Sequence, residues 1–327
     1  MDFDKKLVVS SSPHMRSDET VTVIMRDVII AMIPILAASI FYFGLRALLM
    51  VGISVVSCMA FEWAIRRLMK KSNTIGDLSA VVTGMLIGFN LPVSAPLWMP
   101  VVGGFIAIVV TKQLFGGLGR NFMNPALVAR VFLMTWAVQM TSFTKPLVWM
   151  QKAFSDNVDA VSSATTLSFL KEGTMPEASV LDLFLGNTAG ALGETCSILI
   201  LIGGAYLLFR KVITWHIPVA YIGTVAVLAL VFPRTSSPVD AVLYEVLSGG
   251  LLLGAIFMAT DYATSPLTSR GKLFYGVGCG LLTVFIRYFG SYAEGVSYSI
   301  LIMNTLAWTF DKIGRPKRYG KGEKLNG

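Results

Sequence analysis

The stretch TGMLIGF, residues 83–89, is apolar and contains Gly-x-x-x-Gly, and both features recur in GGLLLGA, residues 249–255. Two glycines four positions apart lie on one face of a helix and leave a gap in its side-chain surface. Short or glycine-broken helices at corresponding places in two halves of a chain are typical of membrane transporters. The alternative interpretation is that Gly-x-x-x-Gly serves ordinary helix packing.

The composition around these stretches indicates an all-α integral membrane protein. Of the 327 residues, 54% are hydrophobic and only 14% are charged, whereas a soluble domain has about 25% charged residues. A helix needs roughly 20 apolar residues to cross the hydrocarbon core, and about ten segments approach this length. The predicted spans lie near 28–45, 47–65, 78–92, 97–114, 123–143, 190–209, 213–232, 243–260, 272–289 and 294–311. Several of them are short or broken by glycine and proline, notably the third and the eighth. The polar N-terminal segment has no cleavable leader pattern, so the first apolar run is expected to be retained.

Lysine and arginine concentrate in alternate loops, and this asymmetry marks the cytoplasmic side of a membrane protein. The basic clusters include residues 66–71 and 210–211, and Lys112 is assigned to a cytoplasmic loop as well. We therefore expect both termini in the cytoplasm. The predicted organisation is a cytoplasmic segment 1–27, a first five-helix unit 28–143, an extracytoplasmic loop 144–189, a second five-helix unit 190–311 and a basic cytoplasmic tail 312–327.

Weaker sequence similarities between the two halves of the chain accompany the two glycine-containing stretches. LFGG at 114–117 resembles YFGS at 288–291, and MNPAL at 123–127 resembles MNTLA at 303–307. The matches occur in the same order, which predicts that five spans are repeated. Because five is odd, the two repeats would be inverted relative to one another in the membrane, as in many secondary transporters.

Several kinds of site are disfavoured by what the sequence offers. Cys58, Cys196 and Cys279 are far apart in apolar runs, and the histidines are His14 and His216. No Cys-x-x-Cys or Cys/His cluster exists in the sequence, so an iron–sulfur, haem or zinc site built by this chain alone is not expected. The net charge of +8 follows the membrane loops, and no nucleic-acid partner is predicted.

The stretch GGLGRNFMNPALVARVF, residues 116–132, joins the fourth predicted span to the fifth. Asn121 and Asn124 are three positions apart, so on a helix they share a face. Asparagine amides donate and accept hydrogen bonds, which suits a flat heterocycle with imide and ring-nitrogen groups. The alternative is a polar turn in which Asn124 caps a helix before Pro125.

Acidic residues near membrane depth are costly and are usually functional. Asp261 follows the glycine-broken eighth segment, and Glu62 and Asp311 lie near the inner ends of the second and tenth segments. These carboxylates are suitable ligands for Na⁺ or acceptors for protons. For Glu62 and Asp311 the alternative is that their side chains snorkel to the membrane interface or pair with Arg66 and Lys312.

The polar stretch DAVSSATTL, residues 159–167, lies in the predicted extracytoplasmic loop. It contains no histidine to activate a hydroxyl, so a serine hydrolase is poorly supported and no catalytic residue is predicted. A threonine in such a loop could accept a phosphoryl group from another enzyme. The alternative is a plain loop with a helix cap at Ser162 or Ser163.

Together these segments resemble one family, the D subunit of the Rnf-type ion-translocating ferredoxin:NAD⁺ oxidoreductase and the related B subunit of the Na⁺-translocating NADH:quinone reductase. The resemblance rests on five segments and extends over nearly the whole chain. They are SSPH (11–14), TGMLIGFNLP (83–92), GRNFMNPALVAR (119–130), DAVSSAT (159–165) and MATDYATSP (258–266).

The resemblance implies two flavins. In that family a flavin transferase esterifies FMN through its phosphate to a threonine in a motif that Asp159, Ser162, Ala164 and Thr165 match, with Ser163 in place of the usual glycine. It implies Thr165 as the acceptor, with Thr166 as the alternative. The positions that match a non-covalent riboflavin are Thr83, Asn121 and Asn124.

The resemblance also implies Glu62, Asp261 and Asp311 as ion-linked residues and a fold like that of urea transporters, with two inverted five-helix repeats. The expected function is that of a bacterial inner-membrane subunit that passes electrons between ferredoxin and NAD⁺ and couples them to Na⁺ or H⁺ translocation. Expected partners are the other Rnf subunits, with ferredoxin and NAD reached through them, a flavin transferase and membrane lipid. The rival interpretation is a redox-free solute channel or transporter of urea-transporter type.

Overall fold

The computed structural model describes residues 19–146, 163–176, 178–235 and 237–314, and these residues form helices without strands. The α-helices are α1 (Val21–Phe43), α2 (Leu45–Leu68), α3 (Ser79–Phe89), α4 (Trp98–Phe105), α5 (Pro125–Leu133), α6 (Ala137–Met140), α7 (Thr166–Lys171), α8 (Val180–Leu185), α9 (Ser197–Phe209), α10 (His216–Val231), α11 (Pro238–Leu247), α12 (Leu251–Leu253), α13 (Ser269–Phe289) and α14 (Val296–Gly314). Short 3₁₀ turns cover Ile75–Asp77 and Met134–Trp136. Two π-helices, Ile106–Gln113 and Gly254–Met258, continue α4 and α12.

Every predicted apolar segment coincides with helical residues, but the helices differ in length. Three of the described helices, α1, α2 and α13, are long and apolar enough to cross a membrane alone. A fourth candidate span joins Pro238–Leu247 to Leu251–Met258 across a bend of 61°. At 1.5 Å per residue the 11 residues of α3 extend only about 16 Å. The prediction of a short third segment and a broken eighth segment is therefore confirmed.

Local signals in the sequence set where helices begin. Asn124 caps α5 with its side-chain oxygen, and Pro125 occupies the first helical position, where its missing N–H leaves no hydrogen bond unmade. For the loop at 159–167, the alternative interpretation predicted a helix cap at Ser162 or Ser163. The residue that caps α7 is instead Thr165. Ser162 lies outside the described residues.

The glycines of TGMLIGF let two helices approach closely. A Cβ at Gly84 would lie 2.6 Å from the Val55 Cα atom, and one at Gly88 would lie 2.9 Å from the Val51 Cα atom. Both contacts are with the backbone of α2, so α3 packs against α2 through its glycine face. This agrees with the helix-packing interpretation of the first Gly-x-x-x-Gly, while the repeat relation between the two halves stays a prediction.

Candidate functional site

Two polar cavities lie at opposite ends of α9. One is lined by Leu207 near the C-terminal end of α9, and the other by Glu194 and Thr195 just before the helix begins. Helix α9 has 13 residues and is about 20 Å long. The cavity lined by Leu207 is called the Asn121 pocket, and the cavity lined by Glu194 and Thr195 is called the Thr165 pocket.

The Asn121 pocket gathers four predicted residues from three distant parts of the chain. Thr83, Asn121, Asn124 and Asp261 all line it. The pocket and its open mouth together contain about 780 Å³ of space free of protein atoms. Apolar side chains complete the wall, including Ile24, Val28, Leu86, Leu207, Ile213, Ile256 and Phe257.

The two asparagines have different roles in this pocket. The Asn124 side-chain oxygen accepts the N–H groups of Ala126 and Leu127, and its amide nitrogen donates to the Met258 carbonyl at 3.1 Å. The cap predicted as the alternative at Asn124 is therefore confirmed, and it coexists with a place in the pocket wall. Asn121 donates to the Met123 carbonyl at 3.1 Å, but its buried Oδ1 has no partner among the described residues. A buried acceptor without a partner is costly, so this oxygen is available to accept a hydrogen bond from a donor that enters the pocket.

Asp261 connects this pocket to a second cavity. It lines a neighbouring cavity together with Asp311, and the Thr264 hydroxyl donates to its Oδ2 at 3.2 Å. Asp311 accepts the backbone N–H groups of Leu267 and Thr268 at 2.8 and 3.1 Å. Its predicted alternative, pairing with Lys312, does not apply, because the Lys312 ammonium lies over the ring of Trp308.

Glu62 is completely buried and is held by three donors. The Lys112 ammonium lies 2.8 Å from Oε2, and the Thr74 hydroxyl and Gln113 amide donate to Oε1 at 2.7 and 3.0 Å. The predicted alternative partner Arg66 donates instead to the Ser72 carbonyl and to Gln113. Lys112 is only 2% exposed and lies in the π-helix Ile106–Gln113. It is therefore a buried helix residue paired with a carboxylate, and counting it as a loop residue was wrong, while its predicted cytoplasmic side stays a prediction.

The carboxylates do not form a preassembled metal site. The described residues contain no group of three or more His, Cys, Asp or Glu side chains able to hold a metal ion. Glu62 faces a cation of the protein, whereas Asp261 and Asp311 share a cavity.

The Thr165 pocket and its open mouth together contain about 900 Å³ of space free of protein atoms, and both candidate acceptor threonines line the pocket. Thr165 is partly exposed, and its hydroxyl oxygen accepts the Ser168 N–H at 3.3 Å. Thr166 is only 7% exposed. The rest of the polar stretch, including Asp159 and Ser162, lies outside the described residues.

A buried charge network forms one wall of the Thr165 pocket, and sequence reasoning did not find its members as a group. Arg130 donates to the Asn90 side chain, to Glu194 at 2.8 Å and to Glu294. Glu294 also accepts the N–H of Gly250 at 2.8 Å. The one available signal was an arginine within a predicted span, since such residues almost always pair inside the protein.

The fold and these cavities define a class of protein: a helical membrane protein with a broken span and two cavities at opposite ends of α9, each lined by apolar and polar residues. The chain belongs to the NQR2, RnfD, RnfE family, whose model matches residues 8–320.

Individual relatives match over nearly their full length. The chain is 47% identical to the D subunit of the Na⁺-translocating ferredoxin:NAD⁺ oxidoreductase complex of Acetobacterium woodii, covering 96% of this chain and 95% of the relative. It is 39% identical to the proton-translocating counterpart of Clostridium ljungdahlii, over 95% and 96% of the two chains. It is 37% identical to the D subunit of the ion-translocating oxidoreductase complex of Stutzerimonas stutzeri, over 92% of each.

Proposed function

We propose that this chain is the D subunit of an ion-translocating ferredoxin:NAD⁺ oxidoreductase, a membrane subunit that carries electrons through two flavins and couples them to Na⁺ or H⁺ movement. The observation that carries the proposal is the Asn121 pocket, where Thr83, Asn121, Asn124 and Asp261 line one cavity that contains an unpartnered buried acceptor. The family membership and the names of full-length relatives support it.

FMN is proposed on Thr165, esterified through its phosphate by a flavin transferase. Partial exposure of Thr165 at the rim of a cavity supports this choice over the buried Thr166, because the transferase must reach the acceptor hydroxyl. The pocket offers aromatic and polar walls, with Phe143, Tyr292 and Tyr298 among its lining residues, which suits a flat ring with a polar edge.

Riboflavin is proposed in the Asn121 pocket. The free Asn121 oxygen supplies an acceptor for a ring N–H, and the Thr83 hydroxyl, which donates to the Ser79 carbonyl at 2.9 Å, retains acceptor capacity. The apolar residues of the pocket wall would exclude water from the ring. When bound, flavins supply one- and two-electron transfer; the chain supplies orientation and charge.

The ion path is proposed through Asp261 and Asp311, which share a cavity, with Glu62 linked to the Asn121 pocket by Lys112. Coupling requires that the charge in the flavin pocket change the cation affinity of these carboxylates, and bound cations must change the flavin's electron affinity in return. One relative is named for Na⁺ translocation and another for proton translocation. The proposed ion is therefore either Na⁺ or H⁺.

The membrane arrangement is also a proposal. Two inverted five-helix repeats with the urea-transporter type of fold would place both termini in the cytoplasm of a bacterial inner membrane and residues 144–189 outside. The positions of the two cavities at opposite ends of α9 support this arrangement, because they would give one flavin to each side. Other Rnf subunits would provide the electron carriers that connect this chain to ferredoxin and NAD.

Flavin content tests the proposal. The purified complex is run on a denaturing gel for covalent flavin fluorescence, and its acid extract is analysed for free riboflavin. Thr165→Val should abolish the fluorescent band of this chain and leave riboflavin unchanged, with Thr166→Val as the matched control that keeps the band. Asn121→Ala should remove the free riboflavin and leave the fluorescent band unchanged. Absence of both flavins from the wild-type complex would favour the redox-free channel.

A further inference from the structure

Lys112 lies at the end of the first π-helix, between a buried carboxylate and the Asn121 pocket. Its ammonium donates to Glu62 Oε2 at 2.8 Å and to the Ser79 hydroxyl at 2.6 Å. The side chain of Lys112 also lines the Asn121 pocket. A π-helix adds a residue to a turn and is frequent at functional sites, and here it ends at this lysine and Gln113.

The ammonium has hydrogen-bonding capacity left. A lysine ammonium has three N–H donors, and the described residues supply acceptors for two of them, on Glu62 and Ser79. Because Lys112 is 2% exposed, bulk water does not readily satisfy the third donor. A ligand in the Asn121 pocket is therefore the available acceptor.

Further charged and polar groups surround this ammonium. The Ser79 hydroxyl donates to Asp77 at 2.5 Å, so Lys112 reaches a second carboxylate through one serine. Arg66 contacts Gln113, the neighbour that also donates to Glu62. Asp261 lines the same pocket as Lys112. Negative charge added in the pocket would compete with Glu62 for the ammonium.

We infer that Lys112 is a ligand-binding residue of the Asn121 pocket, whose third N–H donates to an electron-rich edge of the bound isoalloxazine while its other contacts hold Glu62. The inference rests on the proposed presence of riboflavin in this pocket. Electrons delivered by the other carriers of the complex would add negative charge to the ring edge, and Lys112 would then donate more strongly to the ring and less strongly to Glu62. By linkage, Glu62 then becomes a better partner for an incoming cation.

The test is the midpoint potential of the pocket flavin in the purified complex, titrated optically. In the wild-type titration, the wave of this flavin is the one that disappears in the Asn121→Ala complex. Lys112→Gln should lower its midpoint potential by about 30 mV or more, which is a tenfold loss of preference for the two-electron reduced form. Glu62→Gln should raise it, because the ammonium is then released towards the pocket. Lys71→Gln, an exposed lysine, is the matched control and should leave the potential unchanged.

A double variant separates ligand binding from a purely structural role. Lys112→Gln alone leaves Glu62 buried without its cation and lowers stability. Glu62→Gln/Lys112→Gln removes both charges, so it should recover the thermal stability but keep the lowered potential. A wild-type potential in Lys112→Gln or in the double variant would overturn the inference.

The failure of this inference is distinguishable from failure of the proposed function. If Asn121→Ala removes neither riboflavin nor a redox wave, riboflavin does not occupy the pocket, and the riboflavin assignment and the inference that rests on it are both wrong. If Asn121→Ala removes the wave and Lys112→Gln leaves it at the wild-type potential, the proposed function stands and the role of Lys112 does not.

Discussion

Replacing Arg130 with methionine tests the charge network beside the Thr165 pocket. The guanidinium contacts Glu194 at 2.8 Å, Glu294 and the Asn90 side chain. Side-chain exposure is 10% for Arg130, 5% for Glu194 and 20% for Glu294. Arg130→Met keeps much of the volume of the side chain and removes its charge, so the change isolates the electrostatic contribution.

The expected loss of unfolding free energy is about 3–5 kcal/mol, the cost of removing one partner from a buried ion pair. Two carboxylates lose their cation, but the costs do not double. Glu294 is partly exposed and keeps the N–H of Gly250, whereas Glu194 is almost fully enclosed. Most of the loss should therefore come from Glu194.

The assay is equilibrium unfolding of the purified chain in mixed micelles, followed by tryptophan fluorescence. Adding Glu194→Gln to the Arg130→Met chain should recover about 1–3 kcal/mol by removing one uncompensated buried charge. Arg26→Met, at an exposed position, is the control and should change the free energy by less than about 0.5 kcal/mol. A loss below about 1 kcal/mol for Arg130→Met, or no recovery in the double variant, would refute the reasoning.

Three further predictions concern packing, coupling and orientation. Gly84→Ala should cost about 1–3 kcal/mol of unfolding free energy, because its methyl group would meet the backbone of α2. Gly52→Ala is the control and should be neutral, since a Cβ there has nothing within 4 Å. Equal effects of the two substitutions would contradict the packing of α3 against α2. Asp261→Asn should weaken the Na⁺ or H⁺ dependence of turnover with unchanged flavin content, and a wild-type ion dependence would count against the proposed path. In intact cells an impermeant maleimide should label Glu172→Cys but not Lys71→Cys, both at exposed positions, and the reverse pattern would invert the proposed orientation.

Sequence reasoning recovered the helices and the short and broken segments because both depend on local signals. Apolar runs predict helices in a membrane protein, and Asn124 with Pro125 marks a helix start at the predicted place. Thr83 was chosen by resemblance, whereas Asn121 and Asp261 were chosen from the local sequence, and the structure brings all three into one cavity.

Long-range pairing could not be predicted in the same way. Lys112 and Glu62 are 50 positions apart, and Arg130 and Glu294 are 164 positions apart. A hydropathy average contains no information on which carboxylate pairs with a given lysine. A lysine at a helix end is therefore counted as a loop residue. Glu194 and Glu294 lie just before α9 and α14, where sequence alone does not distinguish a buried acid from an exposed one.

Mass spectrometry of the tryptic peptide 153–171 from the native complex tests the central claim most directly. We predict one FMN, joined through its phosphate, with fragment ions that assign it to Thr165 and leave Thr166 unmodified. If both threonines are bare in cells that possess the flavin transferase, the chain is not the flavin-carrying subunit proposed.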